Sequence, residues 1–436
     1  MQCWIFTHID RPQAPWLTDY DERFDAWEAG GVCGLVVGYM RLLADDGTPV
    51  QAYAPDAQLY TERGLPPPPM LKRNPALERQ LQEMLDNAAA RGWPVYLFGG
   101  ISSVAHAQDL ANAFPQAHGF ILDGPGENHY ELAFHHGGEL LELRPGEAER
   151  FAALGADADR LQRGIDQFRA ALQRLTPDRV RYHADGGLFG SLLLCDLTED
   201  TLYWLRQRQG ASRAAWREAR QCVDGVDRRM LLGGIPRTAA FSSLTGQNYQ
   251  QMPEFFDLVF PKHYFWHRGF DGLYGTVARW VQRLGRWNPS LTEADCLAVV
   301  RCLFGIDLPG IRSLLDLELG FPPEFFTQVV HAETRRALAA VGDPERVIAW
   351  VSTGRAPHAG DAMTARDLHA MLTASRDAGL RRFLFHPDPD LGAAEWRVIS
   401  HLCGDLWEDT RAGYWPADTP RLDSFSGPRR PSVSDD

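Results

Sequence analysis

Asp123 and Glu127 stand on either side of a Gly124-Pro125-Gly126 break in GFILDGPGENHYEL (119–132), and Glu131 follows four residues later. A carboxylate at the end of an apolar run is costly to desolvate unless it is paired or working. Two such groups acting together do acid–base or nucleophilic chemistry: one protonates a leaving oxygen, while the other attacks the carbon behind it or activates a water. Asp before Gly-Pro is also a plain turn former, so a structural reading stands beside the chemical one. A second dense stretch, PKHYFWHRGFDGLYGT (261–276), sets Lys262, His263, Trp266, His267, Arg268 and Asp271 within ten positions. Hydrogen-bond donors interleaved with aromatic faces suit a polyhydroxylated ring, which stacks on one and bonds to the other. A loop that merely packs over a rim is the alternative.

Other polar groups follow short apolar runs in the same way. FTHIDRP carries His8 and Asp10, GGIPRTAAF carries Arg237, VSTGRAPHAGD carries Arg355, His358 and Asp361, and FLFHPDPD carries His386. All are read as substrate-binding groups. There is no HExxH and no Cys/His spacing of the zinc type, and adjacent His135 and His136 diverge in regular structure, so no metal is expected. Dinucleotide and phosphate-loop glycine patterns are missing, as is Gly-x-Ser-x-Gly, and no cofactor is expected. Lys262 at a strand end also admits Schiff-base chemistry.

These groups need elements to hold them. Continuous apolar runs at 3–9, 33–40, 94–100, 119–124, 230–235, 257–265, 346–354 and 382–386 read as parallel strands covered on both faces. Amphipathic helices are expected at 74–92, 290–305 and 363–380, with capping residues at their starts and glycines near their ends. Eight strands alternating with helices point to a (β/α)8 TIM barrel; a doubly wound open sheet is the alternative. The long interval between strands four and five implies a helical insertion at about 140–225, within a single catalytic domain spanning 1–415. The polar, Pro- and Ser-rich tail 416–436 reads as disordered. Residues 311–318 read as either a late strand or helix; as a strand they would offer Glu318 as a second carboxylate, a role for which Glu131 also qualifies. In a barrel all strand carboxyl ends share one mouth.

The net charge of −13 argues against nucleic acid as a partner, and no run is long enough to span a membrane. Seven cysteines without a CxxC pair, and an N-terminus that leads directly into a strand, fit a cytoplasmic protein. The chain resembles the glycoside-hydrolase-like TIM-barrel proteins in FILDGPGE (120–127), in VQAYAPDAQLYTERGLPPPP and GWPVYLFGG, and in DLVFPKHYFWHRGF (257–270). That resemblance covers most of the first 275 residues and implies the fold, the broad class and Asp123 and Glu127 as site positions. Well-studied retaining members carry Asn-Glu after strand four and Glu after strand seven; here Leu122-Asp123-Gly124 and IAWVSTG stand there instead. The expected function is a metal-free glycoside hydrolase acting on an oligosaccharide or glycoside, retaining or inverting. The alternatives are a non-catalytic carbohydrate-binding barrel and a lyase or aldolase using Lys262.

Overall fold

Each of the eight apolar runs forms strand. The computed structural model describes residues 1–9, 17, 20–38, 40–44, 46–124, 141–143, 146–265, 272–352, 364–386 and 393–407. In chain order the strands are β1 (Gln2–His8), β2 (Val32–Gly38), β3 (Arg41–Leu43), β4 (Pro49–Gln51), β5 (Lys72–Arg73), β6 (Val95–Phe98), β7 (Ala117–Asp123), β8 (Leu231–Ile235), β9 (Leu258–Val259), β10 (Lys262–His263), β11 (Ile348–Ser352) and β12 (Arg382–His386). Nine of them make one curled parallel sheet in the order β10-β11-β12-β1-β2-β6-β7-β8-β9. The short β3, β4 and β5 form a second sheet, and strands of two or three residues are too brief to leave a periodicity in the sequence.

The run expected as one strand at 257–265 is divided into β9 and β10 by Phe260 and Pro261. Pro261 has no N–H to give to a ladder, but its carbonyl accepts from Trp350 N at 2.8 Å. Phe260 N donates to Gly234 O and Lys262 N to Pro236 O, and Val259 bridges to Val347. Residues 258–263 are therefore hydrogen-bonded toward β8 on one side and toward β11 on the other.

Side chains alternate across a strand, and the sheet's two faces carry different cores. Trp4, Phe6, Val36, Tyr96, Phe98, Ile121, Ile235, Leu258, Phe260, Ile348, Trp350 and Leu384 pack together on the concave face. The opposite face, with Cys3, Ile5, Leu35, Val37, Phe120 and Phe383, packs on the helices. The inner cluster is rich in rings: Trp4 stacks on Tyr96 at 5.3 Å, and Phe6 meets Trp350 at 5.4 Å and Phe98 at 5.0 Å. Glycine makes room for them. A methyl group on Gly34 would stand 2.7 Å from three ring atoms of Trp4.

The expected helices form at Pro75–Ala90, Glu293–Phe304 and Ala365–Asp377. Asn74 caps the first, while Thr292–Asp295 and Thr364–Asp367 make capping boxes on the others. Between β7 and β8 lie helices Glu147–Ala153, Ala158–Leu172, Pro177–His183, Gly187–Leu194 and Glu199–Asp224. Residues 314–318 are helix and not strand: Ser313 accepts from Asp316 N, and Gly320 takes a positive φ of 98° just beyond. The tail at 416–436 lies outside the described residues.

Gly34→Ala is expected to lower unfolding free energy by ~1–3 kcal/mol through overpacking against Trp4. Gly210→Ala, in the middle of helix Glu199–Asp224 with nothing within 4 Å of the added carbon, should raise it by up to ~1 kcal/mol. Urea titrations of the two variants check this, and equal effects would sink the packing argument.

Candidate active site at the strand ends

Alternation places the next layer. Two residues beyond an inner apolar side chain come His8 after Phe6, Asp123 after Ile121, Lys262 after Phe260, Ser352 after Trp350 and His386 after Leu384. Because the strands are parallel, these positions all lie at the carboxyl end of the sheet, above the aromatic floor.

Two contacts define the layer. Lys262 Nζ stands 2.9 Å from Asp123 Oδ1, although β8 separates their strands, so the lysine reaches across the concave face. Lys262 is 2% exposed and Asp123 43%. The ammonium is thus nearly out of water and held by a charge-assisted bond, while the carboxylate is partly exposed to solvent. On adjacent strands β1 and β12, His8 Nε2 and His386 Nε2 lie 2.8 Å apart. One of these nitrogens carries a proton and the other accepts it. Both rings rest on the floor, with Phe6 4.7 Å from His8 and 4.8 Å from His386.

The structure brings Asp123, Lys262, His8 and His386 to this end of the sheet and takes other expected residues elsewhere. His263 alternates with Lys262 and faces the helices beside Phe265, at 5.2 Å, where burial pushes its pKa down to about 4. It is a neutral core histidine, and its place in a cluster of polar letters gave no hint of that. Arg237 is wholly buried: Nη2 donates to Thr276 Oγ1 at 3.0 Å, and the guanidinium lies over Phe241. Glu318, on helix Leu314–Glu318, is exposed and accepts a hydrogen bond from Tyr274, in the first turn of helix Leu273–Trp287. Asp257, a carboxylate in the same stretch of sequence as Lys262, precedes β9 at the opposite end of the sheet, where it pairs with Arg220 and accepts from Leu232 N. Asp10, Glu127, Glu131, Trp266, His267, Arg268, Asp271, Arg355, His358 and Asp361 lie outside the described residues.

Two buried polar residues escaped the sequence reading. Ser352 ends β11 beside this layer, and its period-two spacing from Trp350 is a signal that was available. Glu333 accepts from Ala240 N at 2.7 Å and pairs with Arg336, yet burial raises its pKa. On a helix its burial has no local signature. Among the described residues no three His, Cys, Asp or Glu side chains are placed to hold a metal ion.

No family model matches the chain, and no curated protein matches its sequence. Among solved structures it is similar to the PgaB (BpsB) glycoside hydrolase domain from Bordetella bronchiseptica, at 12% identity and a TM-score of 0.38, covering 89% of this chain and 94% of that one. It is similar also to a beta-galactosidase from the psychrophilic Marinomonas ef1, at 10% identity and a TM-score of 0.43, covering 92% of this chain and 59% of that one. A beta-galactosidase from the Antarctic haloarchaeon Halorubrum lacusprofundi gives 12% identity and a TM-score of 0.40, with 88% and 52% covered. Likeness at this level decides nothing about chemistry.

The buried His263 makes stability depend on acid. The unfolded chain takes up a proton near the ordinary value of 6.5, whereas the folded site resists until about 4. Its contribution is therefore complete above 6.5 and is lost as pH falls from there through 4, on the order of 3 kcal/mol in all. His263→Phe should flatten this part of the acid limb in urea titrations at pH 7, 5.5 and 4.5; a parallel decline in both proteins would refute the assignment.

Proposed function

We propose that the chain is a glycoside hydrolase built on a (β/α)8 barrel, with the helices between β7 and β8 as an insertion in a single domain. The order of the sheet supports the barrel, since its two ends, β9 and β10, are joined by only two residues, unlike an open doubly wound sheet. The observation that carries the function is the Lys262–Asp123 pair, a partly exposed carboxylate held by a buried ammonium at the carboxyl ends of parallel strands.

Lys262 favours the ionised form of Asp123, because an opposite charge at this distance stabilises the carboxylate. Asp123 then serves as nucleophile or as the base that activates water. Glu127, beyond the Gly-Pro-Gly break, supplies the proton to the leaving oxygen, with Glu131 as the other carboxyl group available for that task. The separation of the working pair sets the outcome: roughly 5 Å leads to retention and 6.5–9.5 Å to inversion. His8 and His386 hydrogen-bond sugar hydroxyls, and Trp266 stacks on a ring. Asp10, His267, Arg268, Asp271, Arg355, His358 and Asp361 are assigned to the same ligand from the sequence. No metal or cofactor enters this chemistry.

Lys262 favours one other reading, since a buried lysine at a strand end is where Schiff-base enzymes keep theirs. An ammonium bonded to a carboxylate at 2.9 Å is protonated and has no lone pair for a carbonyl, which weighs against it.

Asp123→Asn should reduce kcat/KM on nitrophenyl glycosides or natural oligosaccharides by ~10²–10⁴-fold while ligand affinity survives. Nuclear magnetic resonance of the first-formed anomer then distinguishes retention from inversion. Saturable binding with no turnover by the wild-type protein would leave a carbohydrate-binding barrel instead, and borohydride trapping of a carbonyl substrate on Lys262 would replace the hydrolase by an aldolase.

A further inference from the structure

A cavity lies between the end of β2 and the end of β6. It measures about 330 Å³ and is lined by Met40, Arg41, Phe98, Gly99, Gly100 and His106, among others. That volume falls within the roughly 300–1,000 Å³ of small-molecule sites. Phe98 ties it to the candidate active site: its ring meets Phe6 at 5.0 Å, the ring on which His8 and His386 rest.

The lining is suited to oxygen anions. Arg41 is exposed and has no carboxylate partner among the described residues, whereas Lys262 is already matched by Asp123. Its backbone is anchored by antiparallel pairing with Gln51, and Leu42 beside it is buried, so the guanidinium is carried on a fixed strand. Gly99 and Gly100 leave open space where side chains would stand, with nothing within 4 Å of either added carbon. A ligand can therefore come up against bare backbone at the strand end. His106 receives a hydrogen bond at Nδ1 from Ser102 N, at 3.4 Å. Burial lowers its pKa, and with Nδ1 accepting from Ser102 N the other ring nitrogen, Nε2, is the one left to donate. A free guanidinium, a neutral imidazole donor and an uncovered backbone make a recognition set for a carboxylate or sulfate.

We infer that this cleft is an accessory subsite for an acidic sugar, holding the carboxylate or sulfate of a unit next to the one at Asp123. The inference rests on the glycosidase reading, since it places the same ligand across Phe98. It also fits the balance of charge: a chain with a formal charge of −13 repels acidic glycans unless cations are concentrated where they bind.

The test is calorimetric titration of the full chain with a glucuronic-acid disaccharide, its methyl ester and the neutral disaccharide bearing a sulfate, with hydrolysis of each followed separately. The acid or the sulfate should bind at least ten-fold more tightly than the ester, with a preference that weakens as salt is added. Whichever of the two is preferred identifies the substituent. Arg41→Gln should remove the preference; the ratio is measured within one variant, so a general loss of folded protein does not imitate it. Equal affinity for acid, sulfate and ester, no binding of any acidic probe, or a preference intact in Arg41→Gln overturns the subsite. Turnover without preference removes the subsite and keeps the hydrolase, whereas Arg41-dependent preference without turnover keeps the subsite and removes the hydrolase.

Discussion

A lysine ammonium withdrawn from water has to find an opposite charge, and much of this molecule follows from how Lys262 does so. Its partner is not a neighbour in the chain or on the next strand but Asp123, two strands away across β8. Such a bond forms only if the sheet curls enough for one strand's side chain to reach over another on the concave face. The pair thus couples the curl of the sheet to the electrostatics of the site. It also divides the partners by environment: the lysine is buried as a fixed charge, and the aspartate remains partly exposed.

The curl in turn depends on what fills it. The concave face is packed with indole and phenyl rings, and Gly34 and Gly38 on β2 stand where Trp4 and Phe6 on β1 need room. A sheet of uniformly branched residues would hold its strands further from that interior. The floor of rings also excludes water from beneath the polar layer, which strengthens the Lys262–Asp123 and His8–His386 contacts above it.

Period two along each strand then decides which letters become chemistry. Lys262 and His263 are adjacent and both polar, yet one meets Asp123 and the other is held neutral against Phe265. A substitution at His263 speaks to stability, and one at Lys262 speaks to the site. Arg237 and Glu333 carry the same lesson from the rim: their bonds to Thr276 and to Ala240 tie loops to helices.

The sequence by itself determined the eight apolar runs, the caps of the helices at 74–92, 290–305 and 363–380, the helical stretch before β8, and Asp123, His8, Lys262 and His386 as strand-end groups. These are legible because hydrophobic runs, capping residues and glycines act over a few neighbouring positions. Only the tertiary structure decided that Asp123 pairs with Lys262, that the two histidines meet, that Asp257 sits at the far end, and that residues 314–318 are helix. It alone also placed Arg41 and His106 in one cavity, through strands too short to be periodic. Those outcomes depend on which segments become neighbours and which way each side chain faces, and a local pattern of residues contains neither.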